Sequence, residues 1–371
     1  MAEEYGWEDV TDDGSEYIGD LWYDLETRLL EDIAFRIKSN DLSMVDTAQY
    51  EVMKLRELGL QQEYINYEIA KLLNISIAEV EKIMTDSAYA KMRADLERAS
   101  SVGVYVAGQS INMSGIRQQV MVGQSVLNNE LNNLTRTTAN IASRELMRYF
   151  DQAYLDVSSG AFSMDQAVDR AIKELAKNGL GMVDYPSGTH RRLDTAVRTA
   201  VRTATTQNNL AIEENLLDQL DVNLVVVSSH LGARPSHAEW QGKVYWRKHP
   251  EGNYENFYEA TGYGTGPGLG GWNCRHQFFM YDPDMGNPFD EYDSEENRKA
   301  YDLTQQQRYN ERMIREWKRR EQVYKKAGLD ITKERMKVRE WTKRNNDLLK
   351  HSNGFLKRAY GREKAYFEEE K

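Results

Sequence analysis

The chain is short of the residues that staple or punctuate a fold. Among its 371 residues there is one cysteine, Cys274, so no internal disulfide can form, as suits a reducing compartment. There are 6 prolines, so a helix, once started, meets few breaks. No run of about 18 apolar residues occurs, which excludes a membrane-spanning helix and a membrane partner. Only 40% of residues are hydrophobic and the mean hydropathy is −0.73. Both are low for a compact enzyme of this size, and they point to long, partly solvated helices or to faces that a partner covers. The start, M-A-E-E-Y-G-W-E-D-V, lacks the basic flank and apolar stretch of a secretory signal.

The length exceeds the usual limit for one core, so two or more structural units are expected. The net charge of −11 is unevenly spread. Residues 1–50 carry 14 acids against 3 bases, and residues 301–360 carry 17 bases against 8 acids. An acidic head and a basic tail suit two kinds of partner; two solvated helical faces are the plainer explanation.

Periodicity gives a mainly α fold: long helices with a small α+β motif domain around 220–290. Four blocks follow: an acidic helical N-terminal region (1–100), a helical region (101–219), the α+β domain (220–290) and a charged helical tail (291–371). Residues 1–20 lack a clear period and read as a mobile arm or docking segment. A helix spans about 21–37, and others span about 46–58 and 62–73. The segment 68–83 resembles a helix-turn-helix with a turn at Asn74-Ile75-Ser76. Its second helix carries Glu79 and Glu81, which would repel phosphates, so it reads as a structural corner rather than a DNA reader. The polar stretch with Gln118, Gln119, Gln124, Asn128, Asn129, Asn132 and Asn133 suits a helix packed in an oligomer or on another protein. Ser163 is a cap for a helix over 164–178, and Ser294 for the tail helix. Leu224–Val227 is the clearest strand, with further strands at 243–246 and 277–281.

Basic side chains that could meet DNA or another anion fall in two places. A helix over 190–209 presents Arg198 and Arg202, and the tail presents Arg315, Lys318, Arg319 and Arg320. Ion pairing with the acidic head would occupy the same groups.

The scarce residues gather between Ser228 and His276. Four of the six histidines lie there with Cys274 and most of the clustered glycines. His230, His237, Cys274 and His276 form a candidate Zn2+ set, because imidazole and thiolate suit that ion. The glycines around Gly264 and Gly266 supply the backbone freedom that a Cys-x-His pair needs. A second reading is a hydrogen-bonded structural knot in which Arg234, Trp240, Gly242, Asn273 and Arg275 fix the loops. A third is an enzyme, a metal-dependent hydrolase or toxin-like domain acting on nucleic acid. No third residue orients a Cys–His pair, and the glycine loop lacks the G-K-[ST] of a phosphate loop.

The pairing of S-S-H-x-G-A-R-P-S-H-A-x-W-Q-G (228–242) with G-Y-G-T-G-x-G-L-x-G-x-N-C-R-H (262–276) resembles the phage minor capsid proteins of the "minor capsid protein 2" type. These are distantly similar to the head-morphogenesis proteins of Mu-like phages. The tail segments 305–320 and 360–364 fit the same pattern, so the resemblance covers roughly 150–365. It implies a virion component made in the host cytoplasm and placed inside the head near the portal. The partners it implies are the portal protein, other head proteins and packaged double-stranded DNA, with several copies around the portal. The role implied is assistance in head assembly, genome packaging or ejection, without established catalysis. A metal role, if the motif has one, falls on His230, His237, Cys274 and His276. The stretch after the motif, Q-F-F-M-Y-D-P-D-M-G-N-P, is more acidic than the pattern, which weakens any carry-over of contacts there.

Overall fold

Long runs of helix-forming residues with almost no proline fold here as long helices. The computed structural model describes residues 7–43, 45–105, 111–185 and 187–365. The helices among them are α1 (Trp7–Ser39), α2 (Thr47–Ser101), α3 (Met113–Ser158), α4 (Met164–Asn178), α5 (Leu193–Gln219), α6 (Pro235–Ala238), α7 (Phe257–Thr261), α8 (Ser294–Lys326) and α9 (Thr332–His351). The fold is mainly α, as the periodicity implied.

Three expectations need correction. Residues 7–20 are not an arm but the first half of α1; residues 1–6 lie outside the described residues. No corner forms at Asn74-Ile75-Ser76, because α2 runs straight through it. Neither Gly nor Pro interrupts those positions, and Asn and Ser cost a helix only tenths of a kcal/mol up to about 0.7 each. Ser76 is fully buried there and its Oγ has no hydrogen-bond partner, so it caps nothing. The cap of α8 is Asp293 rather than Ser294: its Oδ1 accepts from the backbone N–H groups of Glu295 (2.9 Å) and Glu296 (3.0 Å). Ser163 does cap α4, in a reciprocal pairing with Gln166.

The chain divides into two compact units, each discontinuous in sequence. The first comprises 1–15, 77–130 and 198–305, and the second 16–76, 131–197 and 306–371. A reading along the chain in consecutive blocks has no means of showing such a division.

The second unit buries Ile18, Trp22, Leu25, Leu29 and Ile33 of α1. Their steps of three and four residues keep them on one face. It also buries Tyr149 and Phe150 of α3, Ile172 and Leu175 of α4, and Ile314 and Val323 of α8. A two-stranded ribbon pairs β1 (Val183–Asp184) with β2 (His190–Arg191). Arg191 therefore sits in a strand, before α5 begins.

The first unit holds a four-stranded sheet. In chain order its strands are β3 (Leu224–Val227), β4 (Val244–Trp246), β5 (Glu255–Asn256) and β6 (Phe278–Met280). The spatial order is β5-β4-β3-β6, antiparallel at β3 with both neighbours and parallel between β4 and β5. All four residues of β3 are buried, each such side chain contributing about 1.5–3 kcal/mol relative to exposure. Val225 and Val227 point into a cluster with Leu210, Leu217, Trp240, Tyr245, Phe257, Leu269, Cys274 and Phe278. Val226 faces the other side with Phe279. The alternation expected of a strand is thus present, with both faces covered.

Candidate functional site

The site grows out of the C-terminal end of β3. Ser228 closes the sheet end against Gln277: its N–H donates to Gln277 O (2.8 Å), and its Oγ accepts from Gln277 N (3.0 Å). The turn that follows is clamped by Asn297 of α8. Its Oδ1 accepts from Gly232 N (2.8 Å) and Ala233 N (3.0 Å), and its Nδ2 donates to Ala233 O (2.8 Å). Pro235 then opens α6, a single turn that carries His237. Gly242 returns the chain to the sheet with φ 70°, and its N–H donates to Val227 O (3.1 Å).

The second half of the site is the glycine-rich loop after α7. Gly262 ends that helix in the left-handed region. A Cβ on Gly268 would lie 2.1 Å from Gly262 O, and one on Gly271 the same distance from Gly266 O. Neither neighbour can move without moving the backbone. Gly266 leaves room for the Trp272 ring, which a Cβ would meet at 2.7 Å. Gly264 needs its left-handed φ of 81° and has open space around it.

The two halves meet at three side chains. Cys274 Sγ lies 3.8 Å from Nδ1 of His237 and 3.8 Å from Nδ1 of His276, and the two Nδ1 atoms lie 3.3 Å apart. Nε2 of His237 is 2.9 Å from Pro267 O, and Nε2 of His276 is 3.0 Å from Gln241 Oε1. Gln241 Oε1 also accepts from His230 N (3.1 Å). Trp240 covers the group, with ring centroids 4.5 Å from His237 and 4.8 Å from His276. Among the described residues, His237, Cys274 and His276 are the group of possible ligands whose donor atoms all lie within 4.8 Å of one another. His230 stands beside this group rather than in it: its ring is half-buried and stacks on His276 at 4.5 Å.

Burial sets the electrostatics. His237, Cys274 and His276 are 2%, 1% and 1% exposed. Desolvation, helped by the Arg234 charge, pushes His237 down to about 4, and desolvation, helped by the neighbouring His230 and His237, pushes His276 well below its usual value. Desolvation raises the Cys274 thiol, although backbone hydrogen bonds at Gly270, His276 and Arg275 favour its thiolate. A buried thiol with a raised pKa is a poor nucleophile, and no substrate could reach it without the loops opening.

The remaining motif residues hold the loops. Arg234 Nη2 donates to Trp272 O (2.8 Å) and Asn273 O (3.2 Å). Arg275 pairs with Asp12 at 3.1 Å. Asn273 takes a left-handed φ of 55° and is held from α5, its N–H donating to Thr203 Oγ1 (2.9 Å). Arg202 binds Asn273 Oδ1 (2.7 Å), Asp12 Oδ1 (2.8 Å) and Ser15 Oγ (3.0 Å) together. Asp12, Pro267 and Asn297 were not singled out from the sequence, and Gln241 stood there only as a letter of the motif. Residue type alone marks none of them, since each acts through a partner distant along the chain.

The bases picked out for DNA or anion contact mostly face inward. Arg198, Arg202, Arg315 and Arg319 are 9%, 4%, 5% and 0% exposed. Arg315 pairs with Asp194 at 3.2 Å and Arg319 with Glu26 at 3.0 Å, both guanidinium groups lying near the Tyr23 ring. Arg320 pairs with Glu316 and stacks on Trp317, while Lys318 donates to Glu363 O (2.8 Å). In this arrangement these groups meet carboxylates, carbonyls and rings rather than a surface that phosphates could reach.

Comparison with known proteins identifies the family. A family model described as "Phage minor capsid protein 2" matches residues 9–350. The chain belongs to that family. It is 30% identical over 256 residues to a "Structural protein" of Lactococcus phage LL-H, covering 66% of this chain and 68% of that one. It is 32% identical over 114 residues to a "Structural protein" of Lactococcus phage mv4, covering 30% of this chain and 91% of that one. No solved structure matches. Membership makes this family member a structural capsid component, associated with other head proteins in the virion, and sets the hydrolase reading aside. No described helix is long and apolar enough to cross a membrane.

Proposed function

We propose that this minor capsid protein sits inside the phage head near the portal. There it would assist head assembly, genome packaging or ejection, touching both the portal protein and packaged duplex DNA. The observation that carries the reading is the surface of α9. Lys333, Arg335, Arg339, Lys343, Arg344 and Lys350 are exposed on this 20-residue helix. Arg335, Arg339, Lys343 and Lys350 follow one another at steps of four, four and seven residues, which brings them to one face. On a chain of net charge −11, a concentrated exposed basic face suits a partner that is densely anionic. A protein on the outside of the shell has no such partner, whereas one on the inside faces packaged DNA. A minor component also suits a special vertex better than the repeating shell lattice, and several copies around the portal would serve that vertex. The deciding experiment is an asymmetric reconstruction of the virion in which the chain is located. Density inside the shell at the portal vertex is the expected result, and density on the outer surface or spread evenly over the lattice overturns the proposal.

A further inference from the structure

We propose that Nδ1 of His237, Nδ1 of His276 and Sγ of Cys274 hold one Zn2+ ion, which ties α6 to the glycine-rich loop leading into β6. The first support is geometric. Zinc bound at about 2.0–2.1 Å to nitrogen and about 2.3 Å to sulfur has tetrahedral edges of about 3.3 Å (N to N) and about 3.6 Å (N to S). The three donor atoms lie 3.3, 3.8 and 3.8 Å apart. They therefore already form one face of such a tetrahedron.

The second support is the placement of protons. Pro267 O can only accept, so the proton of neutral His237 is on Nε2. Gln241 presents an oxygen to His276, because the same atom accepts from the backbone N–H of His230, so His276 is also protonated on Nε2. Both Nδ1 atoms then point bare lone pairs at each other with one thiol proton to share between them. A cation between the three donors removes the repulsion, and the thiolate offsets half its charge. Hydrogen-bonding both outer ring nitrogens to fixed acceptors is also how metal-ligating histidines are oriented. A soft thiolate with two imidazoles, enclosed by Trp240 and the apolar cluster, selects zinc over magnesium or calcium.

Three protein ligands leave the fourth corner to water, with His230 kept in its stack on His276. The ion stands where a disulfide stands in a secreted domain, joining segments that are short of apolar area.

The test uses the full-length chain. Plasma emission analysis should find one zinc per chain. After the zinc is stripped with a chelator, Co2+ should produce a thiolate-to-metal charge-transfer band that saturates at one equivalent. Cys274→Ala, with its fold confirmed by circular dichroism, should lose the band. His230→Ala should keep both band and stoichiometry. Gln241→Ala should bind more weakly by about 10–100-fold, as expected for loss of an orienting partner. A natively folded wild-type chain without zinc and without a cobalt band overturns the proposal, as does a band that survives Cys274→Ala. Loss of stoichiometry in His230→Ala overturns the three-ligand assignment. These readouts do not depend on where the protein sits in the virion.

Discussion

Gly268 and Gly271 are held by the nearness of backbone carbonyls, and this makes them the most size-restricted residues in the motif loop. Substituting alanine forces a backbone shift, and overpacking of that kind costs about 1–3 kcal/mol. Gly264→Ala should cost about 1–2 kcal/mol by a different route, its left-handed φ, since there is open space around it. Urea midpoints at constant slope measure all three, and unmoved midpoints for Gly268→Ala and Gly271→Ala would refute the crowding argument. The glycine cluster was visible in the sequence. Which of its members are tight was not, because crowding depends on what the loop folds against. Glu311 makes a separate residue-scale case. Burial pushes its carboxyl up from 4.5 to about 7, with Arg362 and Arg315 pulling it down and Glu16 and Glu363 pushing it up. The folded chain therefore holds this proton more tightly than the unfolded chain does. Its contribution to stability is fully present below about pH 4.5 and is lost as pH rises through about 7. Glu311→Gln should accordingly gain on the order of 3 kcal/mol over wild type at pH 8 and nothing near pH 4.5. Urea unfolding at the two pH values decides it, and a gain independent of pH would rule out titration as the cause.

At the scale of elements, the strand at Leu224–Val227 was the easiest to read, the two-residue strands at Val183–Asp184, His190–Arg191 and Glu255–Asn256 went unread, and the helix joints were the hardest. Leu224–Val227 is four consecutive apolar residues, three of them β-branched, and a central strand with both faces covered wants that run. The supposed corner at Asn74-Ile75-Ser76 failed because Asn and Ser resemble a cap wherever a helix-length pattern precedes them. Whether they cap depends on tertiary burial, and Ser76 is buried inside α2. Two substitutions separate the alternatives. Ser76→Ala removes a buried hydroxyl that lacks a partner and should leave stability unchanged or raise it by up to about 1 kcal/mol. Ser76→Pro removes a helical hydrogen bond in mid-helix and should cost about 3 kcal/mol or more. A tolerated proline at this position would restore the turn. The start of α1 shows the same logic with charge. Its acids looked like a solvated arm, yet Asp12 and Ser15 meet Arg202 of α5. Arg202→Lys keeps the charge but cannot bridge Asp12, Ser15 and Asn273 together, so thermal stability should fall although net charge does not change.

For the whole molecule, composition reports the amount of charge and folding decides where it faces. The acidic head and basic tail were plain from the counts, and so was the need for compensating contacts. The sequence could not say which bases would be consumed inside. In the second unit Glu26 takes Arg319 and Asp194 takes Arg315, with both partners of each pair buried. In the first unit Asp12 takes Arg202 and Arg275. Breaking such a pair leaves an uncompensated charge, so Arg319→Ala should cost about 3–5 kcal/mol. Any weakening of DNA binding in that variant would then follow from unfolding. Among the bases still facing outward, those of α9 form one face, and their contribution can be isolated. Each phosphate neutralised on duplex DNA adds about 0.9 to the slope of log affinity against log salt. Exchanging Arg335, Arg339 and Lys343 for glutamine should therefore flatten the slope by about 2.7, with unfolding temperature little changed, because all three are exposed and the Arg335–Glu321 pair at 3.0 Å is a surface one worth at most about 1 kcal/mol. The loss should be equal for any DNA sequence, since contacts to phosphate carry no base information. Equal slopes for wild type and the triple variant would mean that the α9 face is merely solvated, and that the protein meets packaged DNA elsewhere or not at all.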